Sequence, residues 1–326
     1  FINKNMKILA VQNRMGIGDS IIFLPFIEAI SKKFNSPVSL LVQENSKCTE
    51  YLNQTDYIDE IIILKRNNKI KNLEHNGFFG SLRLVNELRK YNFNKVFIFN
   101  SSLRFALIAK LSGINEIHQF PLFQKKGQNM IKASNKLIFD TIGIQVKNNP
   151  KIYINESNVL EAEKKYNISK NDLNVLLGIG GSGPTKRIPA KTFLKVMKEI
   201  SKQKKCKFFL ATGKNDEEQK ILYEIKNSDL KNYCQSLDDL SINECLPIIK
   251  NCNVSICNDS SFSHLSSALE IETVTLMADT PLMYGNYSSK MHPILPDGVN
   301  EVTHGTLGKD KINPQKIVDK LNSIIS

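Results

Sequence analysis

Three short stretches of this chain gather residue types that could do chemistry. In NRMGIGDS (13–20), Asp19 sits at the glycine-flanked start of a helical pattern. Most often such a carboxylate is an N-cap or first-turn acid that satisfies free amides. Helix-start amides and the helix dipole also hold it ionised, which suits a general base. The stretch looks like a dinucleotide fingerprint, but Ile21 stands where the third glycine belongs, so a nicotinamide site is weakly supported. In GIGGSGPTKRIP (178–189), glycines and small hydroxyls let the backbone approach a phosphate, and Lys186 is placed to neutralise a departing diphosphate. The alternative is a mobile Gly-rich turn carrying a solvated lysine. In ICNDSSFSHLSSAL (256–269), a strand ends at Asn258-Asp259, and Ser260, Ser261 and Ser263 surround a helix start whose open amides form an anion site. His264 falls in the first turn, where it either serves that site or caps and packs. The Ser, His and Asp there lack the G-x-S-x-G elbow of a hydrolase.

These loops need elements to hold them. KILAVQ (7–12), VSLLVQ (38–43), IDEIIIL (58–64) and KVFIFN (95–100) read as strands, with helical spacing over 19–34, 81–91 and 103–111 between or after them. Pro25 should remove a helical hydrogen bond to the Ile21 carbonyl and leave the first turns irregular. A stretch rich in Asn, Lys and Pro (145–174), with a short helix near 157–166, interrupts the pattern. A second series then runs through strands 174–180, 207–212, 253–259 and 273–278, with helices at 190–203, 216–226, 261–269 and 313–325. Alternation of this kind implies parallel sheets covered on both faces. The expected fold class is α/β: two doubly wound, Rossmann-like domains, residues 1–156 and 157–326.

Composition excludes more than it selects. The chain has 326 residues, 41% of them hydrophobic, and no apolar run near the ~20 residues that span a bilayer. FINKN at the start lacks the apolar core of a secretory signal, and Met6 is the expected first native residue. Six scattered cysteines show neither zinc spacing nor a disulfide framework, so reduced thiols and no metal are expected. A net charge of +12 rests on lysine, since only six of 44 basic residues are arginine. It marks a solvated surface, or attraction to an anionic surface such as a phosphorylated glycolipid. With no nucleic-acid motif, DNA and RNA are not expected partners.

In their order, MGIGDSIIFLPFIEAI, TDYIDEIIIL, YNFNKVFIFNSSLRFALIAKLSGI, GGSGPTKRIPAKTF and NDSSFSHLSSAL resemble glycosyltransferase family 9, the ADP-heptose:lipopolysaccharide heptosyltransferases. That resemblance implies a GT-B fold whose C-terminal domain holds the nucleotide-sugar and whose last helix (about 313–325) can pack back on the N-terminal domain. It implies inverting transfer, without cofactor, from an ADP-sugar, expected to be ADP-heptose, to a lipopolysaccharide-type or other cell-envelope glycan. Asp19 looks like the base, with Lys186 as its catalytic companion. Gly18, Ser182, Glu217 on the ribose, Leu240 on the adenine, Asp259, Ser260, Ser261, Phe262 and His264 look like the donor site. Lys65, Arg66 and Lys69, in LKRNNKIKN (64–72), look like the acceptor side. The expected place is the cytoplasm, with peripheral contact at the inner membrane. Ser261 replaces the family's usual glycine and Ile188 its usual aromatic, departures that bear on the donor sugar and the acceptor. The competing readings are a nucleotide-sugar epimerase or hydrolase of the same fold, and a nucleotide-binding module without catalysis.

Overall fold

The computed structural model describes residues 6–66, 73–122 and 129–325. Two compact units divide the chain, Phe1–Pro150 and Lys151–Ser326.

The first unit opens with β1 (Ile8–Gln12), apolar and buried along its whole length. A glycine turn leads into α1 (Ile17–Phe34), followed by β2 (Val38–Gln43), the short α2 (Cys48–Tyr51) and β3 (Ile58–Leu64). Then come α3 (Gly77–Arg89), β4 (Lys95–Ile98), α4 (Leu103–Leu111), β5 (Glu116–Gln119) and α5 (Met130–Ile142). All five strands are parallel, in the order β3-β2-β1-β4-β5. The irregular opening expected from Pro25 does not occur, because α1 is α-helical from Ile17 through Pro25 to Phe34. Phe23 and Phe26 anchor it on Phe99, with ring centroids 5.2 and 6.3 Å apart, and such packing outweighs one missing backbone bond.

The second unit contains α6 (Glu156–Lys165), β6 (Leu173–Gly178), α7 (Ala190–Ser201), β7 (Cys206–Ala211), α8 (Asp216–Lys226) and β8 (Cys234–Ser236). It continues through α9 (Ile242–Lys250), β9 (Val254–Asn258), α10 (Ser261–Ala268), β10 (Glu272–Leu276), β11 (Met291–Ile294) and α11 (Pro314–Ile325). Its six parallel strands run β11-β10-β9-β6-β7-β8. The chain joins this unit a few residues before the expected boundary: Ile152 N–H donates to the Ala268 carbonyl at 2.8 Å, and Lys151 meets Glu270. The apolar stripe of the last helix, Ile317, Val318 and Leu321, enters the second unit's core beside α7, β10 and β11. An amphipathic helix goes where its stripe is covered, and α7 supplies the matching face.

Candidate active site

Open parallel sheets present ligand-binding loops at the carboxyl ends of their strands, above all where strand order reverses. In the second sheet that point lies between β6 and β9, and the loops leaving them meet there. The Asn258 side-chain amide donates to the carbonyls of Ile179 and Gly180, at 2.9 and 3.1 Å. Above this seam, Lys186 Nζ sits 2.9 Å from Asp259 Oδ2, with the carboxylate only 5% exposed and the lysine 24%. Burial pushes the Asp259 carboxyl up, but Lys186 first and then His264 outweigh it and hold it below the usual carboxylate value. A lone acid buried there would cost several kcal/mol, which the adjacent ammonium offsets.

His264 lies beneath. Its Nε2 is 3.8 Å from Asp259 Oδ1, too far for a hydrogen bond, and its Nδ1 meets the Tyr287 hydroxyl at 2.7 Å. Burial drives its pKa down to about 4 against the pull of Asp259, so the ring is neutral near pH 7. Ser260 is the N-cap of α10, and Ser263 returns its hydroxyl to the Ser260 carbonyl at 2.7 Å. The first-turn amides of Ser261 and Phe262 have no intrahelical acceptor, so they face the loop as donors.

The Gly-rich loop is clamped rather than loose. Gly181 N–H donates to Glu218 Oε1 at 2.6 Å, and its carbonyl accepts from Arg187 Nε at 2.9 Å. Arg187 also pairs with the exposed Glu217. The buried Glu218 carboxylate fits because Gly180 and Gly213 lack side chains, since a Cβ on either would lie 2.4 Å from one of its oxygens. The Gly181 amide is thus occupied by protein. Glu217 stands at the start of α8, and the half-buried Leu240 precedes the Ser241 cap of α9. Lys214–Asp239 and Gln219–Asp238 contacts at 3.1 and 3.3 Å tie these two loops together. A cavity of about 960 Å³ lies beside α8 and β8, lined by Asp216, Gln219, Tyr223 and Asp238, and neither Glu217 nor Leu240 lines it.

In the first sheet the order reverses between β1 and β4. Asn100 after β4 donates to the Asn13 side chain after β1 at 3.0 Å. Gly16, with φ +112, is the cap residue of α1, a backbone angle that favours glycine. Asp19 therefore lies in the first helical turn next to Gly18, its side chain 22% exposed and 3.9 Å from an Arg14 nitrogen. Of the basic trio, Lys65 is paired with Glu74 at 2.7 Å, Arg66 lines a hollow of about 500 Å³, and Lys69 lies outside the described residues. Arg104 shares that hollow with Arg66, Asn76 and Ser81. Burial, and then Arg66, lower the Arg104 pKa, while its terminal nitrogen donates to the His75 carbonyl at 2.6 Å.

Sequence reasoning missed Glu218, Arg187, Tyr287 and Arg104. Arginine rarity was a signal for two of them, as it was for Arg66. Nothing marked Glu218 apart from Glu217 beside it, because its burial depends on a glycine in another loop. Among the described residues, no group of three or more His, Cys, Asp and Glu side chains could hold a metal ion.

With this geometry in view, known proteins are informative. Residues 81–295 match the family described as glycosyltransferase family 9 (heptosyltransferase). A lipopolysaccharide heptosyltransferase 1 of Campylobacter coli is 23% identical, across 98% of this chain and 95% of that protein. The solved ADP-heptose lps heptosyltransferase II of E. coli shares the fold with TM-score 0.74 at 18% identity, covering 98% of both chains. A family 9 glycosyl transferase from Veillonella parvula aligns with TM-score 0.75 at 16% identity, over 99% of this chain and 98% of its own. These neighbours identify the two parallel-sheet units as a GT-B fold.

Proposed function

The chain belongs to glycosyltransferase family 9, the heptosyltransferases, and from that premise we propose that it moves a heptose-type sugar from an ADP-linked donor to an anionic cell-envelope glycan of lipopolysaccharide type. The observation that carries this reading is the Lys186–Asp259 pair beside the open amides of α10. That arrangement receives a diphosphate that gains charge as it leaves.

In one displacement, the acceptor oxygen forms a bond to the anomeric carbon while the bond to the diphosphate oxygen breaks. The electron pair leaves with the nucleotide, and the configuration inverts. Lys186 has three N–H donors and gives one to Asp259, so two remain for the departing phosphates. The Ser261 and Phe262 amides add fixed dipoles that need no reorganisation. Asp259 orients Lys186 and accepts from the sugar. Asp19 takes the acceptor proton, its ionised form favoured by the α1 amino end. Glu217 and Leu240 fit a ribose hydroxyl and an apolar base face. On the first unit, Arg66 and Arg104 suit carboxylate or phosphate on the acceptor. No metal or organic cofactor enters this scheme. Among the described residues no helix is long and apolar enough to cross a membrane, and the place of action proposed is the cytoplasmic face of the inner membrane, by peripheral contact.

The test is a panel of ADP-, UDP- and GDP-sugars, scored by binding and by acceptor-dependent nucleotide release. ADP-sugars should bind most tightly and release ADP only with acceptor present. Tighter binding of a UDP-sugar would overturn the donor assignment.

A further inference from the structure

We propose that the outward faces of α3 and α4 form a docking surface for an anionic lipid bilayer, which deepens, and in its purpose rests on, the reading of a lipid-borne acceptor. The observation is exposed apolar side chains on helices that already bury a core face: a stripe along α4 and a pair of phenylalanines at the head of α3. On their inner sides α3 buries Leu84, Val85 and Leu88, and α4 buries Phe105, Ile108 and Ala109. On their outer sides Phe78 and Phe79 are 72% and 75% exposed, and Leu103, Leu107 and Leu111, four residues apart, are each about half exposed. A surface helix has polar residues opposite its core stripe, so an apolar outer stripe signals a second burial.

The two apolar patches belong to one layer. At the carboxyl ends of the helices the Arg89 guanidinium donates twice to the Leu111 carbonyl, at 3.1 and 2.8 Å. At their amino ends Phe78 and Arg104 share one hollow. In the second unit, by contrast, exposed large apolar residues are scattered over separate elements, such as Tyr153, Tyr223 and Leu307.

Charge selects the occupant. These helices carry Arg83, Arg89, Arg104 and Lys110, with Lys90 just after α3, against a single acid, Glu87, which is engaged by His75 at 3.0 Å. Cations rimming an apolar face match anionic headgroups above acyl chains. Long Arg and Lys stems let the charge reach the headgroups while phenylalanine and leucine enter. A second copy docked about a two-fold axis would set these cations against one another.

The test is flotation with phosphatidylethanolamine vesicles, with and without phosphatidylglycerol and free of any glycan acceptor or nucleotide-sugar. Wild-type protein should float with the phosphatidylglycerol vesicles and release in high salt. The combined substitutions Phe79→Ser, Leu107→Gln and Leu111→Gln should weaken binding by ~10-fold or more, from the apolar area withdrawn. They should leave the melting temperature and transfer to a delipidated acceptor unchanged. Wild type that ignores phosphatidylglycerol, or a triple variant that floats as well as wild type, would sink the proposal. So would concentration-dependent dimerisation abolished by the same substitutions without vesicle binding. Because the vesicles hold no substrate, lipid binding without sugar transfer would leave this surface standing and overturn the donor–acceptor reading instead.

Discussion

At the carboxyl edge of the second sheet, cations and carboxylates are matched: Lys186 with Asp259, Arg187 with Glu217, and Lys214 with Asp239. In the first unit Arg66 and Arg104 share a hollow that no carboxylate lines among the described residues, and Asp19 at the head of α1 lies 3.9 Å from an Arg14 nitrogen. Matched charge fixes side chains before a ligand arrives, so little is reorganised when a diphosphate binds. Unmatched like charge is tolerated because the hollow is open to water, and it becomes favourable when an anion enters. Under the proposed function the second unit is the preset donor site and the first the adaptable acceptor site. That contrast can be broken at several points.

The largest effect belongs to Asp19. Asp19→Asn keeps shape and removes basicity, so turnover should fall by at least ~10²-fold while donor affinity stays intact. Steady-state kinetics beside donor titration would check it. Wild-type turnover in the Asn variant would reduce Asp19 to a helix-start carboxylate.

Lys186 comes next, and it tests presetting directly. Lys186→Met should weaken donor binding by ~10- to 100-fold, the range for losing a charge-assisted bond. It should also destabilise the fold, because Asp259 is left buried without its cation. Adding Asp259→Asn should restore stability to the double variant but not donor affinity. If the single variant is as stable as wild type, the pair is not the buried couple argued above.

Glu218 acts on the same loop from below. Glu218→Ala leaves the Gly181 amide without its acceptor and opens space between Gly180 and Gly213. Donor affinity should drop by roughly 10-fold, the scale of one buried unsatisfied amide, and Glu218→Gln should recover part of it through its carbonyl. Equal affinity in the Ala variant would show that the loop needs no clamp.

How far the sequence led can be judged at these residues. The strands at β1, β2, β3, β6, β7 and β9 were legible because apolar, β-branched-rich runs of strand length stand out from the helical patterns between them. The short β5 and β8 were missed, as EIHQ and CQS are only partly buried edge strands with little apolar signal. That Asp19, Lys186 and Asp259 stand in glycine- or serine-rich segments after strands was legible from the sequence. Their pairing was not, since Lys186 and Asp259 lie 73 positions apart and only the β6–β9 seam joins them. Arg104 stayed hidden for the same reason: its neighbour Arg66 arrives from another strand end.

His264 offers a pH test of the donor unit. Its ordinary pKa is 6.5 and burial lowers it to about 4 in the folded chain. Unfolded protein thus binds a proton below 6.5 that folded protein refuses until about 4. The stabilisation is complete above pH 6.5 and is lost as pH falls through that window, by up to ~10-fold in the unfolding constant per pH unit. The lowered Asp259 value acts in the same sense, but only below its ordinary 3.8. Urea midpoints at pH 7.5, 5.5 and 4.5 should decline in wild type and decline less in His264→Gln. Parallel declines in both proteins would place the titrating group elsewhere.

The smallest effect expected is on the acceptor side, where charges are exposed. Arg66 and Arg104 line one hollow, with no carboxylate in its wall among the described residues. An anionic acceptor group gains from both, but water and salt screen the attraction over a Debye length of ~8–10 Å. Arg66→Gln should therefore raise the acceptor KM only a few-fold, about the ~1 kcal/mol of a solvated charge contact, with donor affinity unchanged. Arg104→Gln should cost more, because that guanidinium also donates to the carbonyl of His75, whose ring accepts from the Lys65 N–H. Arg66→Lys keeps the charge and loses the two-pronged grip, so it should sit between wild type and Gln. Raising salt should lift the wild-type acceptor KM and narrow the gap between wild type and Arg66→Gln. If the KM ignores both salt and these substitutions, the unmatched arginines are ordinary surface. The contrast between a preset donor unit and an adaptable acceptor unit would then fail on the acceptor side.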